Sequence, residues 1–218
     1  MRKIFLTIGV LLFSLASWAQ TYSSVRTLSG THYGEVQNIR FSPNGQILAS
    51  GGQYGKVVLW NSNTGQVIKS INAHSGRVVE VTFSPNGQMV ASCSEDGSAR
   101  VWDVNSGAML GTYYNRSTLP TDGSRFSKSV SFVFFTADNQ YLIFGGDGGN
   151  LMRAKLGKDR YGISHNAESL YLAEFPSTAG SKVTKRMTGG TLSVDGNAAV
   201  FTIGDEIRIV SVFSGDLL

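Results

Sequence analysis

Three histidines, one cysteine and a glycine run around an aspartate are the residues of this chain that could do chemistry. His165 stands in a polar stretch with no second ligand at metal spacing. Cys93 lies inside a strand-like apolar segment, where a small buried apolar role suits it better than a reactive thiol. Gly145-Gly146-Asp147-Gly148-Gly149 has the composition of a phosphate loop, but no Lys-Ser/Thr follows and no helix opens, so it reads as a glycine hairpin. The chain contains no Gly-x-Ser-x-Gly, Cys-x-x-Cys or His-Glu-x-x-His motif and no Asp-x-Asp-x-Asp-Gly calcium loop. Asp138, Asp147 and Asp195 fall in turns, where Asp is expected for backbone reasons alone. Lys182, Lys185 and Arg186 are a small basic cluster without interleaved aromatics, which reads as a solvated face rather than a nucleic-acid site. The expectation is a protein with no catalytic residue, no metal, no cofactor and no nucleic-acid partner.

The elements that hold these residues repeat. Residues 41–65 read FSPNGQILASGGQYGKVVLWNSNTG and residues 83–107 read FSPNGQMVASCSEDGSARVWDVNSG, the same unit moved along by 42 residues. A period in the low forties is the signature of propeller blades. Each unit offers four strand-length segments: 35–41, 46–51, 56–61 and 66–71, then 77–83, 88–94, 98–103 and 108–114. In Ser42-Pro43-Asn44-Gly45, Pro presets φ and Gly relieves strain at the fourth position, as a type I turn prefers. Adjacent apolar residues such as Val57, Val58 and Leu59 are expected where both faces of a sheet are covered. A third, degenerate copy runs through Phe135-Thr136-Ala137-Asp138-Asn139-Gln140, after a polar insertion near 115–127. It predicts strands at 140–145, 149–154 and near 169–175, with a long loop at 155–167. A fourth echo places a turn at 193–197 and a strand at 207–210, and a match to Thr64-Gly65-Gln66 at 214–218. Residues 22–28 read as a strand ahead of the first copy.

Here the residues resemble the WD40-repeat family, most clearly in Val101-Trp102-Asp103 at the end of a strand. That resemblance implies an all-β, WD40-type β-propeller of about four four-stranded blades, with clear repeats over 30–114 and degenerate ones over 115–218. It also implies a buried relay in which the Trp102 N–H donates to Ser92, Ser92 meets His74, and His74 meets Asp96. Repeat one keeps His32, Ser50 and Trp60 but has Tyr54 in the Asp place. Repeats three and four lack the relay, with Phe144 and Ala154 in one and Phe201 and Val210 in the other. Family geometry would put Tyr33, Glu35, Gln53, Tyr54, Arg77, Glu95 and Asp147 on one rim, where a protein or peptide partner is engaged.

Residues 1–19 have a basic start (Arg2, Lys3), a short apolar run from Ile4 to Leu15 and small residues at Ser17 and Ala19. This is the pattern of a secretory signal peptide cleaved after Ala19, and the run falls short of the ~20 residues that a spanning helix needs. The expectation is export to the periplasm or extracellular space, with the propeller segment over 20–218 and no stable membrane insertion after cleavage. Against 19 basic and 15 acidic residues in the whole chain, loss of Arg2 and Lys3 lowers the net charge from +4 to +2. Propellers close with about 4–8 blades. Either the strand at 22–28 closes a four-bladed ring, or the propeller is incomplete and is finished by further sequence or by another chain. The second arrangement is expected. The functional expectation is a non-catalytic binding scaffold; the alternative is the sensor portion of a larger enzyme, a caspase-like peptidase or kinase.

Overall fold

In the computed structural model, residues 27–28, 31–115, 129–147, 150–157, 167–172, 187–193 and 195–214 are described. They form β-strands and turns, with no helix among them. The first sheet holds β1 (Val36–Phe41), β2 (Ile47–Gly52), β3 (Lys56–Asn61) and β4 (Val67–Asn72), in that spatial order. The second holds β5 (Val78–Phe83), β6 (Met89–Ser94), β7 (Ser98–Asp103) and β8 (Met109–Tyr114). The third holds β9 (Val130–Phe135), β10 (Tyr141–Gly146), β11 (Asn150–Lys155) and β12 (Ala167–Leu172). The fourth shows β13 (Met187–Leu192), β14 (Ala198–Ile203) and β15 (Glu206–Ser211), so three strands are described where four were expected. All pairings are antiparallel meanders. The fold is all-β and of partial-propeller type.

The turn chemistry explains why the strands start where they do, within one residue of expectation in both clear repeats. Gly45 N donates to Ser42 O and Ser42 N to Ile47 O, both at 2.8 Å, closing the hairpin between β1 and β2. Gly45 and Gly87 take positive φ there, and in the third copy Asn139 takes the same conformation at φ 59°, which Asn tolerates better than other non-Gly residues. Of the expected strand at 22–28, residues 22–26 lie outside the described residues, and Thr27 and Leu28 form no strand. Also outside are 116–128, His165, the Lys182/Lys185/Arg186 cluster and 215–218. Strand β13 is an element that the sequence did not announce.

The four sheets are structural copies. In each, pairing of the first strand with the second slips at the same step, for example between Val36 and Asn38 and between Val78 and Glu80. First strands lie side by side in chain order: β1 against β5, β5 against β9, β9 against β13. Each junction is filled by one apolar cluster. Ala49, Val57 and Leu59 of the first sheet meet Val81, Phe83 and Val90 of the second. Ala91, Cys93, Ala99 and Val101 meet Val133, Phe135 and Phe144 of the third. Phe132, Ile143 and Leu151 meet Ala199, Phe201 and Val210 of the fourth. Burying one such Phe or Leu is worth about 1.5–3 kcal/mol.

At two junctions the first strands are also tied by a side chain to a backbone amide, and at the third Arg153 Nη1 donates to the Val212 carbonyl at 2.7 Å. The Val81 N–H donates to Asn38 Oδ1 at 3.3 Å, and the Val133 N–H donates to Glu80 Oε2 at 3.1 Å. Arg40 Nη2 donates to the other Glu80 oxygen at 3.0 Å. Burial pushes the Glu80 carboxyl up, opposed by the Val133 N–H and by Arg40. At the third junction Phe132 occupies the equivalent position and lies against Gly190.

Gly55 marks where the first sheet meets the segment leading into the second, its carbonyl accepting from Ala73 N at 2.8 Å and His74 N at 2.9 Å. It has φ +75°, and a Cβ there would fall 2.0 Å from the His74 carbonyl oxygen. Gly45 has a similar φ of +70° but open space around it. Gly45→Ala should therefore lose only the left-handed backbone term, about 1–2 kcal/mol. Gly55→Ala should lose well beyond that, because backbone must move. Thermal melts of the two variants make the comparison.

Candidate functional site

The relay residues are brought together by β6, β7, the turn between them and the segment before β5. Trp102, on β7, donates its indole N–H to Ser92 Oγ on β6 at 3.0 Å. Ser92 Oγ lies 2.8 Å from His74 Nε2, and His74 Nδ1 lies 3.0 Å from Asp96 Oδ2. An ionised carboxylate only accepts, so Nδ1 carries the proton and Nε2 accepts from the Ser92 hydroxyl. The register aligns the set: Val90 faces Trp102 across the sheet and Ser92 faces Arg100. Sequence reasoning missed two further members. Ser98 Oγ donates to Asp96 Oδ1 at 2.6 Å, and Arg100 Nη1 donates to the Ala73 carbonyl at 2.7 Å while Nη2 stands 3.6 Å from Asp96. Their only signal was position, since Ser98 follows Asp96 by two residues and Arg100 by four.

In the first sheet Trp60 donates to Ser50 Oγ at 2.7 Å and His32 Nε2 lies 2.8 Å from the same oxygen. Tyr54 supplies no carboxylate there, and its side chain points outward, 65% exposed. Burial, and then the charge of Lys56, hold the His32 pKa below its usual value. In the third and fourth sheets the buried positions hold Phe144 with Ala154 and Phe201 with Val210. Apolar side chains at those four positions need no hydrogen-bond partner of their own. The relay lies inside the sheet, with the His74 side chain fully covered and that of Asp96 8% exposed.

The rim residues stand at equivalent points. Gln53 N donates to Glu35 O at 2.9 Å, Glu95 N to Arg77 O at 3.1 Å, and Asp147 N to Ser129 O at 2.9 Å. One bond recurring in three sheets puts these residues at the same end of each. Tyr33 is 83% exposed, with the Lys56 ammonium 4.6 Å from its ring centroid. Gln53 Oε1 accepts from Glu35 N at 3.4 Å. Arg77 Nε donates to Glu95 Oε1 at 3.1 Å and Arg77 Nη1 to Gln37 Oε1 at 3.5 Å, a polar link between first and second sheets. Asn115 Nδ2 donates to the Asp147 carbonyl at 3.0 Å. Among the described residues, no group of three His, Cys, Asp or Glu could hold a metal ion.

Asp96 gives the relay a pH signature. Burial alone would raise its pKa, but hydrogen bonds from His74 and Ser98 outweigh that and hold the carboxyl far below the usual range. A depressed acid adds stability above its unfolded pKa of about 3.9, and that stability drains away as pH falls towards the folded value. Asp96→Asn should destabilise the chain by about 1–3 kcal/mol near neutral pH. The gap between wild type and variant should narrow as pH falls below about 4, read by denaturant unfolding at each pH.

Residues 22–61 and 65–103 match the WD40 family model, described as WD domain, G-beta repeat. No curated protein matches the chain. The matched segments span the first sheet and the first three strands of the second, and both carry the Trp–Ser–His contacts. Those two segments are WD40 repeats, set in an all-β fold of partial-propeller type.

Proposed function

We propose that the chain is a non-catalytic scaffold that holds a protein or peptide partner on the rim formed by Tyr33, Glu35, Gln53, Tyr54, Arg77, Glu95 and Asp147. The observation that carries this is the pair of outward tyrosines, Tyr33 and Tyr54, beside the Arg77–Glu95 pair on turns fixed by recurring backbone bonds. WD40 domains in general mediate protein–protein interactions, which supports the reading. Tyrosine and arginine on a rigid frame supply contact area at low ordering cost. Tyr54 is the leading anchor, because the relay would have Asp in its place.

In this reading residues 1–19 are a signal peptide, removed on export, and the four sheets are part of a propeller that further sheets complete. The test is retention of partners from periplasmic or surface extract by the immobilised chain. Tyr54→Ala and Glu95→Ala should each weaken retention by an amount of hot-spot size, about 2 kcal/mol or more, without altering the melt. An unchanged partner set for both variants would overturn the rim assignment.

A further inference from the structure

The corner between the first and second strands is held by the same side-chain lock in all four sheets. Its first residue, Ser42, Ser84, Thr136 or Ser193, donates its hydroxyl to the Oδ1 of the third, Asn44, Asn86, Asp138 or Asp195. The backbone N–H of the fifth donates to the same oxygen, at 3.1 Å from Gln46, 3.0 Å from Gln88, 2.9 Å from Gln140 and 3.1 Å from Asn197. The lock asks the third residue only to accept, so an amide oxygen and a carboxylate oxygen serve alike. In the third and fourth sheets it is a carboxylate. The donors from Thr136 and Gln140, and from Ser193 and Asn197, hold the Asp138 and Asp195 carboxyls below the usual range. In the first two sheets it is an amide whose nitrogen has no part in the lock: Asn44 and Asn86 Nδ2 stand 3.5 Å from Gln46 and Gln88 Oε1. Both asparagines are exposed, and both precede a glycine, Gly45 and Gly87, as no other asparagine of the chain does.

We propose that Asn44 and Asn86 are self-modifying positions, which shed the side-chain nitrogen as ammonia and leave an acidic residue where the third and fourth sheets already hold one. The nucleophile is the nitrogen of the glycine that follows. Once its proton passes to a solvent base, it bonds to the asparagine Cγ, the Cγ–Nδ2 bond breaks, and Nδ2 leaves as ammonia with a proton from water. Water then opens the cyclic imide at one of its carbonyls, so that amide and water have become carboxylate and ammonium. Negative charge gathers on Oδ1 during the attack, and the two donors of the lock already point at that oxygen, as oxyanion stabilisation requires. Glycine has no side chain to obstruct the approach. Attack needs the Gly45 N–H to leave the Ser42 carbonyl and the Gly87 N–H to leave that of Ser84, both at 2.8 Å. The first corner is free to open, with nothing within 4 Å of the Cβ position of Gly45. The second is held on two sides. Asn86 N donates to Asn139 Oδ1 in the third-sheet corner at 3.1 Å, and Pro43 Cδ lies 3.6 Å from the Cβ position of Gly87. Asn44 is therefore the faster site.

The test is incubation of the full chain at mildly alkaline pH, read by peptide mass mapping and ion exchange. Asn44 should be lost first and Asn86 several-fold more slowly, each with the mass gain of NH2 replaced by OH and one added negative charge. Asn63 and Asn105, exposed turn asparagines with no glycine after them, should persist. Asn139→Gly keeps the left-handed corner and removes the amide that holds Asn86, so it should bring Asn86 to the pace of Asn44. Asn44→Asp and Asn86→Asp stand for the product and should melt with the wild type. Retention of both asparagines, loss of Asn63 or Asn105 at the same pace, or an Asp variant with a lowered melt overturns the proposal. An Asn86 rate unmoved by Asn139→Gly overturns the order given to the two sites.

Discussion

A sheet with apolar residues on both faces cannot stand alone in water, and that constraint shapes everything else in this chain. Each internal sheet buries apolar residues on both of its faces. The three internal junctions meet the need with one cluster apiece, and the faces alternate strictly in role. The polar ties from Asn38 and Glu80 add direction, because each reaches from one first strand to the backbone of the next. Glu80 is the more demanding of the two, a carboxylate drawn out of water and compensated by an amide and a guanidinium.

The relay and its replacements show one constraint met by two chemistries. Trp102, Ser92, His74 and Asp96 fill a junction with polar atoms that satisfy one another in sequence. Phe144 with Ala154, and Phe201 with Val210, fill the same places with bulk alone, the large residue having moved from the third strand to the second. The first sheet is intermediate: its Trp–Ser–His part is intact, and the position that would end it has become an outward tyrosine. A site released from packing is free to face a partner, which is the physical ground for giving Tyr54 weight.

The strands of the first two copies were legible because their limits are set by turn residues within ten positions of one another. Gly45, Gly87 and Asn139 mark the same corner by the same backbone requirement. Strand β13 was not legible. Its Gly189 and Gly190 argue against a strand locally, and Gly190 makes sense only beside the Phe132 ring on the preceding sheet. The bridging role of Glu80 was hidden for the same reason: nothing near it in sequence distinguishes it from a solvated strand charge. The relay could be anticipated through a family resemblance, but Ser98 and Arg100 joined it through the register of β6 and β7.

Cys93 is shut away from solvent, and that gives it a use as a probe. It is the one thiol of the chain, fully covered between the second and third sheets, with burial pushing its pKa well up. A thiol-specific reagent can reach it only after those two walls part. The sulfur is thus a built-in clock for one chosen seam, and its labelling rate would time the breathing of the molecule's middle without a single engineered residue.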